Sequence, residues 1–371
     1  MKIGVPKEIK IHEYRVGMTP ASVKELVKLG HTVIIENNAG AGIDFTNEDY
    51  HKAGAAIVGS AEEVFAQSEL IVKVKEPQPS EWQRLKPEQT LFTFLHLAPD
   101  PEQAHGLMRS GCTAIAYETV TDNFGSLPLL APMSEVAGRM SIQAGASYLE
   151  KEKGGRGILL GGVAGVAPAN VVILGGGVVG ANAAKMAVGL GAKVAIIDKN
   201  PRRLNELDWM FKGRVQTIYS TSDSVEDYVK RADLVIGAVL VVGAAAPKLV
   251  HRDLLKAMKK GSVLVDVAID QGGCFESSRP TTHSDPVYIE EGVVHYCVTN
   301  MPGAVARTST QALNNATLPF IIALAQKGPR QALRDNIHLR NGLNVFKGNI
   351  THPLVARDLN VDYVNAAELV I

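Results

Sequence analysis

Cysteine is scarce in this 371-residue chain. Cys112, Cys274 and Cys297 are odd in number and widely spaced. They fit no zinc-ligand spacing and no disulfide framework, so a reducing cytoplasm is the expected setting. Net charge is absent as well: Lys plus Arg and Asp plus Glu both number 38. A balanced chain carries no electrostatic footprint for nucleic acid or an anionic membrane. The opening, MKIGVPKEIK, has too short an apolar run for a signal peptide. One long stretch, residues 157–184, contains no Asp, Glu, Lys or Arg. Pro168, Asn170 and several glycines interrupt it, which argues against a membrane helix. There is no internal repeat, no low-complexity segment and no metal-ligand spacing.

What is present is an ordinary globular composition, 46% hydrophobic and 20% charged, at a length that suits about two domains. The informative stretch is VVILGGGVVGANAAKMAVGLGAKVAIID, residues 171–198. A strand-length apolar run is followed by Gly175, Gly177 and Gly180 in the spacing G-x-G-x-x-G. A helical pattern and a second apolar run ending in Asp198 come next. Each part has a job in dinucleotide binding. Gly175 permits the tight turn, Gly177 lets a pyrophosphate approach the backbone, and Gly180 lets helix and strand pack closely. The helix N-terminus offers N–H groups and positive potential to phosphate. Asp198 is placed to accept hydrogen bonds from an adenosine ribose and to repel a 2′-phosphate, favouring NAD over NADP. Arg202 and Arg203, just beyond, are the residues that would accommodate that phosphate.

The N-terminal third alternates strands and helices. Residues 2–5, 32–36, 70–74, 91–95 and 113–116 read as strands, with helical patterns over 20–29 and 61–67. Thr19-Pro20 and Ser60 are helix starts. A long helical pattern runs over 133–153. Further strands are expected at 215–219, 234–237, 263–266 and 293–298, six from residue 171, the number a full dinucleotide fold needs. The tail from about Thr308 reads as helical, then loop-rich. The expected class is therefore α/β with two Rossmann-like domains. Residues 1–130 form the first part of a substrate domain, and 131–305 a connecting helix and NAD-binding domain with a six-stranded doubly wound parallel sheet. Residues 306–371 return to the substrate domain, which is discontinuous.

Ligands of such folds bind beyond the C-terminal ends of the strands. Four ionisable residues fall there: Arg15 after the first strand, Lys75 after LIVKV, His96 after LFTFL and Asp270 after VLVDVA. Strands also end at solvent, so position alone does not separate function from solvation. His31, His51, His105 and His251 lie in polar or helical contexts and read as surface.

Several long motifs go further. MKIGVPKEIKIHEYRVGMTP, VKVKEPQ, LFTFLHLA, APMSEVAGRMS, VVILGGGVVG, VLVDVAIDQGG with Glu276 after it, and VTNMPGAVARTST occur in order. Over its whole length the chain resembles the bacterial alanine dehydrogenases of the alanine dehydrogenase/transhydrogenase alpha-subunit family. The transhydrogenase alpha subunits have a similar opening but usually lack an acid at the place of Asp270 and a histidine at that of His96. The resemblance implies reversible NAD-dependent oxidative deamination of L-alanine to pyruvate and ammonia, by a cytoplasmic homo-hexamer. His96 would be the general acid/base, assisted by Asp270, with Arg15 and Lys75 on the substrate carboxylate and Met133 and Asn300 lining the site. The dinucleotide would be held by Ser134, Gly175, Gly177, Val178, Val179, Gly180, Asp198, Arg203, Ser220, Val239, Leu240, Val267, Ile269, Asp270, Arg279, Val298 and Met301. His96 and Asp270 are expected to face one interdomain cleft, because proton and hydride transfer must meet.

Overall fold

Short runs of β-branched and aliphatic residues form the strands. In chain order they are β1 (Lys2–Val5), β2 (Thr32–Glu36), β3 (Ala56–Val58), β4 (Leu70–Val72), β5 (Thr90–Thr93), β6 (Thr113–Ala116), β7 (Asn170–Leu174), β8 (Lys193–Asp198), β9 (Val215–Tyr219), β10 (Leu234–Gly237), β11 (Val263–Asp266), β12 (Val287–Glu290), β13 (Val293–Tyr296), β14 (Leu343–Phe346) and β15 (Asn349–Ile350). This computed structural model describes residues 1–239 and 246–369. The chain divides into two units: Met1–Met133 together with the chain from Val305 onward, and Ser134–Ala304.

In the first unit the sheet order is β15-β14-β6-β5-β4-β1-β2-β3. β1 to β6 are parallel, and β14 and β15 extend the β6 edge antiparallel. In the second unit the order is β12-β13-β11-β10-β7-β8-β9, parallel except for β12. Counted by sequence within each unit, both parallel sets read 3-2-1-4-5-6, the doubly wound order. Each sheet therefore has a switch point, between β1 and β4 in one and β7 and β10 in the other. At such a point connections leave to opposite faces, and ligands of doubly wound folds bind beyond the strands' C-terminal ends.

The central strands are buried on both faces. Val171 and Ile173 of β7 join one apolar cluster, while Val172 and Leu174 join another on the opposite face. That is why these strands read as unbroken apolar runs rather than as alternations. In the first unit the helix Ala306–Lys327 fixes the loop after β1. Its Thr310 Oγ1 accepts from the Val16 N–H (3.3 Å) and its Asn314 Oδ1 from the Thr19 N–H (2.9 Å).

Several elements differ from expectation. The second sheet has a seventh, antiparallel strand, and the tail contributes β14 and β15. The edge strands β12, β15 and β3 are short, and β12 and β3 are only partly buried, so they show no apolar run to detect; β14 is buried, but Asn344 interrupts its four-residue run. The long helix spans Ala131–Tyr148, stopping short of residue 153 because Glu150 is extended. β4 ends at Val72 and β5 at Thr93, before the expected residues 74 and 95. Main-chain bonding runs one residue further, Lys73 N–H to Phe92 and Phe94 N–H to Val74, and then carboxylates take the donors: Glu8 accepts from the Val74 N–H and Glu118 from the Leu95 N–H.

Candidate active site

The glycine turn follows β7 at the switch point of the second sheet. Gly175 has φ +101°, and a Cβ there would lie 2.6 Å from the Ala238 carbonyl oxygen. A Cβ on Gly180 would meet the Gly175 carbonyl oxygen at 1.9 Å, so helix and strand approach as the motif requires. A Cβ on Gly177 would meet nothing within 4 Å, so the backbone borders open space at the point where a pyrophosphate would lie. The helix Val178–Gly189 starts there without a side-chain cap, leaving its first N–H groups for an anion. These features fit a bound dinucleotide.

Asp198, the last residue of β8, is half-buried. Its Oδ2 accepts from the Gly176 N–H at 2.6 Å and its Oδ1 from the Asn200 N–H at 2.8 Å. Arg203 donates through Nε to the Gly176 carbonyl (2.6 Å) and through Nη1 to Glu206 (2.9 Å). The carboxylate thus braces the glycine turn from the end of β8.

The other expected nucleotide residues in this unit follow strand ends or flank them. Ser220 follows β9, its N–H donating to the Asp198 carbonyl (3.0 Å). Val239 follows β10; Leu240 lies outside the described residues. Val267, Ile269 and Asp270 follow β11, with Asp270 exposed in the single turn Ile269–Gln271. Buried Asp266 holds that loop by accepting from the Ala268 (3.1 Å) and Cys274 (2.8 Å) N–H groups and from the Ser278 hydroxyl. Burial pushes the Asp266 carboxyl up, against these bonds. The Arg279 guanidinium sits 3.9 Å from the Tyr288 ring centroid, and Tyr288 accepts from the Arg279 N–H. Val298 and Met301 are buried, and Asn300, with φ 62°, accepts on its carbonyl from His283. Ser134, Val178 and Val179 lie in the first turns of their helices.

In the first unit, Arg15 lies in the loop after β1, Lys75 follows β4 and His96 follows β5, around that sheet's switch point. Arg15 is buried. Its Nε and Nη2 donate to the two oxygens of Glu13 at 2.7 and 2.6 Å, and its Nη1 is 3.1 Å from Met133 Sδ. Lys75 Nζ and His96 Nδ1 each stand 3.7 Å from Oε2 of Glu76, while Lys10 engages its Oε1. Burial works to raise the Glu76 carboxyl, but His96, Lys75 and Lys10 outweigh it and hold it well below the usual range.

The His96 side chain is 46% exposed, so it can reach a substrate. It stacks on Phe94 at 5.7 Å. Its backbone has φ 48°, a left-handed conformation that costs a non-glycine residue of order 1–3 kcal/mol. Desolvation lowers the imidazole pKa, yet Glu118 and Glu76 overcome it and the net direction is upward. Beneath Lys75 lies a buried ion cluster. Lys73 Nζ pairs with Glu8 (3.0 Å) and Glu81 (2.8 Å), while Glu8 accepts from the Val74 (2.7 Å) and Lys75 (3.3 Å) N–H groups.

Glu8, Glu13, Glu76 and Glu118 did not emerge from sequence reasoning. Glu76 and Glu118 carried a usable signal, since both follow strand ends by the rule that found Lys75 and His96. Glu8, in PKEIK, reads as a solvated charge, and only the fold buries it.

A switch-point cluster of cations with an imidazole, and a glycine turn built for a dinucleotide, define a nicotinamide-dependent α/β oxidoreductase. Family models match nearly the whole chain: alanine dehydrogenase/PNT N-terminal domain over residues 4–137 and C-terminal domain over 141–353. Alanine dehydrogenase from Halomonas elongata is 60% identical over 370 residues, covering 100% of both chains. The alanine dehydrogenase of Methanococcus maripaludis is 55% identical, covering 99% of this chain and 98% of its own. A solved L-alanine dehydrogenase structure matches with TM-score 0.94 and 55% identity, over 97% of this chain and 99% of that one. The chain belongs to the alanine dehydrogenase/PNT family.

Proposed function

We propose that Arg15, Lys75, His96 and Asp270 carry the reversible oxidative deamination of L-alanine to pyruvate and ammonia. The activity is that of an NAD-dependent oxidoreductase acting on an amino-acid CH–NH2 group. The observation that carries the residue assignment is the convergence of Lys75 and His96 on Glu76 at a sheet switch point. NAD, when bound, accepts the hydride from the substrate Cα.

The side chains do the rest. Arg15, its guanidinium oriented by Glu13, binds the substrate carboxylate, and Lys75 adds a point charge. Asp270 stabilises the substrate ammonium, which gives up one proton to solvent to become the free amine before hydride transfer, and then the iminium that results. His96 accepts a proton as water adds to the iminium carbon. It then returns a proton to the nitrogen as the carbinolamine collapses to pyruvate and ammonia. Met133 and Asn300 line the substrate. Ser134, Gly175, Gly177, Val178, Val179, Gly180, Asp198, Arg203, Ser220, Val239, Leu240, Val267, Ile269, Arg279, Val298 and Met301 hold the dinucleotide. Loss of NADH absorbance on mixing protein, pyruvate, ammonium and NADH tests the reading. A transhydrogenase-like subunit would bind NADH and leave it unconsumed.

Asp198→Ala is expected to weaken NADH binding and raise the relative use of NADPH, with Arg203 beside the vacated position. The ratio of kcat/KM for the two cofactors measures this, and an unchanged ratio removes Asp198 from the ribose role. The substrate pocket is expected to be small, closed by methionine side chains. A hydrophobic pocket discriminates by about 1–3 kcal/mol per methylene, so 2-oxobutyrate should react slowly rather than not at all. Preference for phenylpyruvate or 2-oxoglutarate over pyruvate would contradict it.

We also place the protein in the cytoplasm as a homo-hexamer. The three buried free cysteines support the first part, and the family resemblance supports the second. No helix among the described residues is long and apolar enough to cross a membrane. Light scattering on the purified chain reads the assembly directly.

A further inference from the structure

We propose that Glu118 is the positioning residue of the acid/base group: its carboxylate seizes the main-chain donors around His96 and holds the imidazole in a left-handed backbone conformation. The inference rests on the reading of His96 as the acid/base.

Regular pairing of β5 stops at Thr93, two residues before the Leu95 N–H. Glu118 stands just past the end of β6, the strand beside β5, in the single turn Tyr117–Thr119. From there its Oε1 accepts from the His96 N–H at 2.6 Å, and both its oxygens lie 3.2 Å from the Leu95 N–H. Left-handed backbone persists in a non-glycine residue only where surrounding contacts over-determine it. Here a charged acceptor supplies that contact, and bonds to an ionised acceptor are roughly twice as strong as neutral ones.

The same carboxylate also acts on the imidazole through space and raises its pKa. Within this unit the charged groups facing His96 are Glu118 after β6, and Glu76 and Lys75 after β4, with Lys10 from the loop after β1 engaging Glu76. Lys75 opposes the two acids. His352, after β15, feels Glu118 too, but burial lowers its pKa. Glu118 thus does two separable things: it fixes where the ring stands and biases its protonation.

Glu118→Gln separates them. An amide oxygen can still accept from both N–H groups, but the charge is gone. Deamination needs neutral His96, so kcat/KM for alanine falls below the imidazole pKa. With the pKa reduced, that acidic limb should move to lower pH while the plateau kcat stays within a few-fold of the parent. Proton NMR of labelled histidine rings, with the His96 signal assigned by its loss in His96→Asn, should show the same downward move without any turnover. Glu118→Ala removes position as well, and its plateau kcat should fall on the order of 10²-fold with NADH binding preserved. If the His96 titration and the acidic limb of Glu118→Gln match the parent, the proposal is wrong. If His96→Asn remains fully active, the acid/base reading fails, whereas the ring titration still reports whether Glu118 sets the pKa.

Discussion

Replacing His96 by alanine is expected to lower kcat by about 10²-fold or more while NADH binding stays near its original strength, the scale of a positioned acid/base group. Nothing in the glycine turn depends on His96, which follows β5 in the other unit. Asp270→Asn should show a loss of similar size. Asp270 is exposed in a turn whose backbone is held by Asp266 rather than by its own side chain, so the variant should fold normally. Steady-state kinetics in both directions, with NADH fluorescence titration alongside, make the measurement. A change of less than a few-fold in either variant would mean that the residue is a solvated strand end.

Lys73→Met should cost roughly 3–5 kcal/mol of stability, the usual effect of removing one partner from a buried ion cluster. Lys73 is fully buried, and its ammonium pKa is pushed up to about 12 because Glu8 and Glu81 outweigh desolvation. Without it two carboxylates share a dry site with no counter-charge. Burial already raises the Glu8 carboxyl above its ordinary value, with Lys73 pulling it down. Losing Lys73 raises it further.

A carboxyl whose folded pKa is raised contributes stability that is present at low pH and lost as pH rises through the folded value. The deficit of Lys73→Met should therefore be largest at neutral pH and shrink as the pH is lowered toward the carboxylate range. Thermal unfolding of parent and variant across that range tests it, and a pH-independent deficit would argue for a packing defect instead. Because Glu8 also accepts from the Val74 and Lys75 N–H groups, KM for pyruvate should rise in the variant.

Much of this was legible in the residues alone. The glycine turn, the strands β7, β9, β10 and β11 and the acid closing β8 are local: backbone sterics and apolar runs set them within a few residues. Strand ends likewise pointed to Arg15, Lys75, His96 and Asp270, since a parallel sheet places its C-terminal loops together. The edge strands were not legible, because a two- to four-residue edge element has no buried face to leave a pattern.

The contacts that Glu8 and Glu118 make belong to the tertiary structure. Glu118 meets His96 across 22 residues of sequence, Glu8 meets Lys73 across 65, and Asn314 reaches Thr19 across 295. A charge followed by a loop looks the same whether it ends in water or under a neighbouring strand. Glu8 and Glu118 acquire their roles from the backbone donors that face them across the fold, and Glu76 from burial against the side chains of Lys10 and His96, arrangements that exist only after the strands have paired. The sequence by itself determined the nucleotide turn and the order of elements, because those depend on local backbone geometry. The tertiary structure decided that Glu8 meets Lys73 and that Glu76 and Glu118 meet His96, because that depends on burial and distance between segments far apart in the chain.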